Sequence, residues 1–279
     1  MAQPKKIARV SLFGSRNDDG VSFDPTRDIP SLTGKVILIT GALRYLNLDL
    51  TLFESVHKCA SDIAAREERL DILVLNAGTM RVAAGTTEEG YEVHFGLNYL
   101  GHALLARLLV SMMVRTKQKP GADVRIIIVS SEKHAVAPEG GIRFDRLKTG
   151  CAEMSYLQRY GQSKVALICL ARELARNYPQ LKAAAVHPGR VLTGMAASLR
   201  KESLLVRLMA PIALLMCVPV HVGVKNHLWA ATNPEVVSGK YYEPVGVPGK
   251  NSVAAKDESL SRKLWEWTEN EMTGVLPLE

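Results

Sequence analysis

A chain of 279 residues, 47% hydrophobic and 23% charged, is long enough to bury one large α/β core and too ordinary in composition for a disordered or fibrous protein. Its net charge of +7 would suit nucleic acid, an acidic membrane surface or a phosphorylated small molecule. The Lys and Arg residues are spread along the chain without a basic stripe interleaved with aromatics, which argues against nucleic acid. The cysteines Cys59, Cys151, Cys169 and Cys217 form no CxxC pair and nothing resembles HExxH, so free thiols in a reducing, cytoplasmic setting and no metal site are expected.

In chain order, residues 1–30 read as a loosely held arm: basic and free of acids at the start, without the apolar core of a secretory signal. A mitochondrial transit peptide is the minor alternative. Residues 31–279 read as a single domain. Lys35-Val-Ile-Leu-Ile-Thr40 is a run of four apolar residues ending at Thr-Gly, the pattern of a parallel strand buried on both faces. Ile72–Leu75, Arg125–Val129 and Ala183–Val186 repeat it. Between them Thr51 and Glu54 have the spacing of a capping box, and Phe53, Val56, Ala60 and Ile63 share a helix face. Tyr91–Met113 and Tyr156–Asn177 read as long helices, the second stopped by Pro179. Leu260, Leu264 and Trp267 make a one-sided helix near the C-terminus. Strands alternating with helices predict a doubly wound α/β sheet, whose ligands sit at the carboxyl ends of the strands.

Those ends carry polar clusters. Asn76-Ala77-Gly78 follows the second run, Ser130-Ser131 the third, and His187-Pro-Gly-Arg-Val191-Leu-Thr193 the fourth. Asn98 falls on the helix between the second and third runs. Tyr160 and Lys164, four apart on a helix, lie one turn from each other on one face. A phenol is a poor acid–base group at neutral pH; a nearby ammonium favours its phenolate and lowers its pKa.

The pieces LTGKVILITGA, LNLDLTLFESV, LDILVLNAG, NYLGHALL, IIIVSS, YGQSK, HPGRVLTGM and GKYYEPVG together resemble the short-chain dehydrogenase/reductase family. The nearest likeness is to its fungal, retinol-dehydrogenase-like branch, also similar to WW-domain oxidoreductases. The resemblance implies a Rossmann-like sheet and an NAD(P)-dependent oxidoreductase. Its substrate would be an alcohol or carbonyl in a lipophilic small molecule, in the setting of secondary metabolism. It implies a catalytic group of Asn98, Ser131, Tyr160 and Lys164. Tyr160 passes the proton and Ser131 holds the substrate oxygen, with Ser130 its rival. Lys164 acidifies Tyr160 and holds the ribose, and Asn98 holds a water that links Lys164 to solvent. NADP, with NAD as the alternative, would touch Gly41, Asp49, Asn76, Ala77, Gly78, Asn98, Tyr160, Lys164, Val191 and Thr193. His187 is expected to face away. The apolar stretch Leu204–Val220, within a substrate-covering segment of about 194–222, suggests a greasy substrate, weak membrane association or self-assembly into a homo-oligomer.

One stretch departs from the family. TGxxxGxG is expected after the first strand, but Thr40-Gly41-Ala42 runs directly into Leu43-Arg-Tyr-Leu-Asn-Leu-Asp49. The first crossover helix, second strand and second helix have no counterpart, and with them go the pyrophosphate turn and the residues that separate NADP from NAD. A parallel crossover needs roughly a dozen residues. The four from Gly41 to Arg44 reach only about 17 Å, the length of a five-residue strand. One strand must therefore be lost or re-paired, or the two must form a hairpin. The second reading of the chain is accordingly a non-catalytic or cofactor-impaired relative, arising as a splice variant, a mispredicted gene product or a pseudo-enzyme.

Overall fold

The apolar runs become parallel strands and the one-sided patterns become the helices that cover them. The computed structural model describes residues 20–41, 46–191 and 218–275. Most of the N-terminal arm, Thr193, Cys217 and most of the Leu204–Val220 stretch lie outside the described residues.

In chain order, α1 (Pro25–Asp28) is a single turn with Pro25 at its start and the Asp24 carboxylate accepting from the Thr26 N–H at 3.0 Å. Phe23, just before it, is buried. Strand β1 (Ile37–Ile39) is followed by α2 (Phe53–Arg66) and β2 (Ile72–Leu75). Next, α3 (Val93–Phe95) runs through a π turn, Gly96–Leu100, into α4 (Gly101–Lys117). Strand β3 (Arg125–Val129) leads to α5 (Tyr156–Asn177) and β4 (Lys182–Val186). The chain ends with α6 (Val220–Gly223), α7 (Lys225–Thr232), β5 (Tyr241–Tyr242), α8 (Val253–Lys256) and α9 (Glu258–Glu271). The combined α3–α4 run, Val93–Lys117, is long and apolar enough to cross a membrane (mean hydropathy 1.4). Its apolar stretch is 72% buried inside the fold, which makes it a core helix.

All five strands pair in parallel in the order β1-β2-β3-β4-β5. Alternate residues point to opposite faces. One face buries Leu73, Leu75, Ile126, Ile128, Ala183 and Ala185 against α2, α4, α5 and α9. The other buries Ile72, Val74, Ile127, Val129, Ala184 and Val186, chiefly under Trp229 of α7 and Phe23. Asp71 locks the start of the sheet: its carboxylate accepts the Val36 N–H (3.0 Å) and pairs with Arg69 (2.6 Å) and Lys35 (3.3 Å).

Three expectations are corrected. First, β1 is not buried on both faces: Ile37 and Ile39 are 40% and 44% exposed. Among the described residues its neighbour in the sheet is β2 alone, and no described helix covers its outer face. Second, the described residues after the Gly41 turn, 46–52, contain no strand, so β1 is joined in register directly to β2. Third, Thr51 and Glu54 form no capping box. Leu52 is the residue before α2 and has no side-chain cap; the Phe53 N–H donates instead to Glu89 Oε1 at 2.6 Å. By contrast α5 opens with a true box, Ser155 Oγ accepting from the Gln158 N–H and Gln158 Oε1 from the Ser155 N–H.

Candidate active site

The carboxyl ends of β1 to β4 converge. Thr40 at the end of β1 accepts the N–H groups of Asn76 and Ala77 on its hydroxyl (2.9 Å each), while Asn76 Nδ2 donates to the Thr40 carbonyl at 3.0 Å. The Thr40 hydroxyl also meets His102 Nε2 at 2.9 Å, and His102 Nδ1 meets the Asn98 carbonyl at 2.9 Å. Burial pushes the His102 imidazolium down to about 4, so the ring is neutral. Nδ1 must then carry the proton, since a carbonyl can only accept, and Thr40 donates to Nε2. These bonds fix the loop after β2.

Asn98 lies in the π turn, a distortion that recurs at functional sites. Its Oδ1 accepts the Thr79 N–H (2.9 Å), and its Nδ2 donates to the Thr79 carbonyl and to Ser163 Oγ (3.0 Å each). The amide thus ties the β2 loop to α5. Gly78 borders the same space: a Cβ there would come 3.1 Å from Asn98 Oδ1 and 3.6 Å from Lys164 Nζ.

Helical spacing brings Tyr160 and Lys164 together as expected, with Lys164 Nζ 5.3 Å from the Tyr160 ring centroid. Ser131 hydrogen-bonds the Tyr160 phenol. Ser130, one residue earlier and so on the other side of the extended chain, donates to the Lys164 carbonyl at 2.8 Å. The rival serine is therefore spent on holding α5 to β3.

The charge state differs from the expectation. Burial pushes the Tyr160 phenol up to about 12; the Ser131 hydrogen bond opposes this and the Glu132 carboxylate adds to it. Burial alone pushes the Lys164 ammonium down to about 7. Its Nζ donates to the Val129 carbonyl at 3.0 Å.

The remaining expected positions are less concentrated. Gly41 has φ +75°, which only glycine adopts freely, and a Cβ there would meet Ala77 at 3.2 Å. Asp49 is exposed; its Oδ1 accepts the Thr51 N–H (2.8 Å) and hydroxyl (2.6 Å), a local turn rather than a strand end. Val191 bridges to Val218 in parallel. For a nicotinamide dinucleotide the fit is divided. Asn98, Ser131, Tyr160, Lys164 and the open floor at Gly78 suit the nicotinamide–ribose half. No glycine follows Gly41 before Gly78. The helix that follows β1 is α2, whose first N–H is taken by Glu89 and which no glycine beyond Gly41 precedes, so that half is not fitted.

Two groups escaped sequence reasoning. Glu92, His94 and Arg159 form a buried cluster below Tyr160; they are scattered in the chain, and no spacing announces them. Glu132, His187 and Glu243 bring one ligand atom each within 4.8 Å of one another. Glu132 is held by Arg190 at 2.7 and 3.2 Å, and Glu243 accepts the Tyr241 hydroxyl at 2.6 Å. His187 Nδ1 faces the Glu132 N–H at 3.4 Å, and burial pushes the ring down to about 3. These groups make a polar web behind Ser131, with His187 turned into it.

A parallel Rossmann-like sheet with Ser, Tyr and Lys gathered at its strand ends defines an oxidoreductase class, and comparisons specify the family. Residues 33–215 match a family model described as enoyl-(acyl carrier protein) reductase. An uncharacterized oxidoreductase of Schizosaccharomyces pombe is 31% identical over 86% of each chain. A short-chain dehydrogenase/reductase of Aspergillus calidoustus is 32% identical over 84% of this chain and 78% of its own. Human retinol dehydrogenase 13 is 34% identical over 78% of this chain and 65% of its own. A crystal structure of an uncharacterized protein from Mycobacterium paratuberculosis superposes with a TM-score of 0.68 at 23% identity, covering 92% of this chain and 99% of that one. The chain belongs to the short-chain dehydrogenase/reductase family of oxidoreductases.

Proposed function

We propose that the chain exchanges a hydride between NADP, or NAD, and an alcohol or carbonyl in a lipophilic small molecule, in a fungal-type secondary metabolism. The observation that carries this reading is the meeting of Ser131 and Tyr160 at the carboxyl end of β3, with Lys164 one helical turn away and its Nζ 5.3 Å from the Tyr160 ring centroid. The dinucleotide supplies the hydride chemistry when bound. Tyr160 holds the proton that the substrate oxygen gains or gives up. Ser131 donates to the same oxygen and steadies its developing charge. Lys164, buried one helical turn from Tyr160, holds the ribose. Asn98 keeps the floor beside Gly78 in place through Thr79 and Ser163. The retinol-dehydrogenase relative and the apolar composition of Leu204–Val220 support a greasy substrate, taken up in the cytoplasm at or near a membrane surface. Self-assembly into a homo-oligomer belongs to the same proposal.

A second reading is favoured by one observation: β1 is an edge strand and its Gly41 turn is not followed by the glycines that seat a pyrophosphate. On it the chain is a cofactor-impaired member of the family. A fluorescence titration with NADPH and NADH separates the two. Affinity in the micromolar range, with consumption of the reduced cofactor on adding long-chain aldehydes, supports the enzyme. Absent binding at millimolar cofactor supports the impaired relative. In an active preparation Tyr160→Phe should lower turnover at least about a hundredfold with cofactor affinity kept; retained turnover removes Tyr160 from the mechanism.

A further inference from the structure

Glu132 is fastened twice to the loop after β4. Its main-chain N–H donates to His187 Nδ1 at 3.4 Å. Its carboxylate takes the Arg190 guanidinium on both oxygens, Nε to Oε1 at 2.7 Å and Nη2 to Oε2 at 3.2 Å. A two-point fork of this kind fixes orientation as well as distance. The Glu132 and Arg190 side chains are only 15% and 27% exposed, so water screens the pair less than an ordinary surface bridge. Ser131 opens the short turn Glu132–Val136, its Oγ accepting the Lys133 N–H at 3.3 Å. The residue that meets Tyr160 is thus the chain neighbour of the one that Arg190 holds. Beyond the pair, the Arg190 carbonyl accepts the Val218 N–H at 2.9 Å.

Burial opposes ionisation of Glu132, but the Arg190 hydrogen bond and the charges of Lys133 and Arg190 hold its carboxyl below the usual range, so it is negative. Glu132 is faced by Arg190 and His187 from the β4 loop, by Lys133 and His134 from its own turn, and by Tyr241 and Glu243 at β5. Of its two cations Lys133 is the more exposed and lies 3.2 Å from Oε1. Tyr160 is faced by Lys164 of its own helix, His94, Ser131, Glu132 and Tyr241. We propose that Arg190 is a positioning residue for the Ser131–Tyr160 pair, acting through Glu132: its guanidinium holds the turn that starts at Ser131 against the β4 loop and occupies a carboxylate that would otherwise repel a Tyr160 phenolate. The inference rests on the reading of Tyr160 as the proton-passing group.

The test needs no substrate. With trifluorotyrosine incorporated, whose phenol ionises at lower pH than tyrosine's, the ring fluorines follow Tyr160, and Tyr160→Phe identifies their signals. Arg190→Gln should move that midpoint upward by about half to one pH unit, a three- to tenfold loss of phenolate at fixed pH. Glu132→Gln, which keeps an oxygen for Arg190, should move it downward, and it carries the test alone if Arg190→Gln does not fold. In the Glu132→Gln background Arg190→Gln should lose most of its effect. An unmoved midpoint in the single variants overturns the proposal, and so does an equal Arg190→Gln shift with and without Glu132. Amide exchange at Glu132 and Lys133 should quicken about tenfold in Arg190→Gln while that of β3 holds; unchanged exchange shows that Arg190 does not hold the turn and overturns the proposal as well. Should Tyr160 not be the proton-passing group, Tyr160→Phe keeps its turnover while the midpoints still report the Glu132–Arg190 coupling, so the two failures are distinguishable.

Discussion

Lys164 is an ammonium placed where charge is disfavoured. Its side chain is almost fully buried and donates to one carbonyl, and burial pushes it down to about 7. An unfolded lysine titrates near 10.4. Between those values the unfolded chain binds more protons than the folded one, so folding stability rises with pH through that window. Below it the whole penalty is present. Lys164→Met should therefore be more stable than the natural chain at pH 6, by up to roughly 4 kcal/mol, with the advantage shrinking by pH 10. Urea midpoints at the two pH values check this; a difference that does not change with pH would place the cost elsewhere. The pairing of Tyr160 with Lys164 was legible because helical spacing alone sets it. The direction of their pKa values was not, since burial decides it, against the Ser131 contribution at Tyr160, and no local pattern encodes that. Ser131 over Ser130 follows from strand alternation, and the structure spends Ser130 on the Lys164 carbonyl. The Glu92–His94–Arg159 cluster was invisible because only the folded chain brings those three residues together.

At the scale of elements, α2 shows what a sequence window contains and what it omits. Its buried face, Phe53, Val56, Ala60 and Ile63, follows directly from periodicity. Its start does not. Thr51 looked like the cap, but Asp49 captures the Thr51 hydroxyl, and the free Phe53 N–H is met by a carboxylate from 36 residues further on. A distant cap stabilises two elements at once, the helix and the loop that delivers Glu89. Glu89→Ala should thus cost about 1–2 kcal/mol, seen as a lower urea midpoint, while Thr51→Ala costs less. An unchanged midpoint for Glu89→Ala would mean water serves Phe53 equally well. The same contrast holds across the sheet. Strands β2, β3 and β4 match their apolar runs within a residue, because a buried parallel strand has few alternatives. The helix expected from Tyr91 begins instead at Val93: the Tyr91 carbonyl accepts the Thr87 N–H at 2.8 Å, and this tertiary turn delays the helix by two residues.

The whole molecule departs from its family pattern at β1. In a doubly wound sheet the first strand is central, flanked by strands and covered by helices on both faces. Among the described residues β1 pairs on one side only, with Ile37 opposite Ile72 and Ile39 opposite Val74. Ile72 and Val74 are 4% and 7% exposed, yet Ile37 and Ile39, next along the same face, remain open. Val36 and Thr40 direct their main-chain groups to β2. By alternation those of Ile37 and Ile39 point outward, away from the ladder. Unpaired main-chain donors and acceptors beside two exposed isoleucines are the combination that recruits another strand. The chain should self-associate in a concentration-dependent way through this edge. Ile37→Lys combined with Ile39→Lys should lower light scattering several-fold at equal concentration. Each isoleucine gives up only partial burial, about 1 kcal/mol at most, so the circular dichroism spectrum should be preserved. Equal scattering from the double variant would show that another surface makes the contact. A loss of the dichroism spectrum would show instead that the two isoleucines hold the fold. Both outcomes are excluded if β1 is an open edge whose outer face has no helix to cover it.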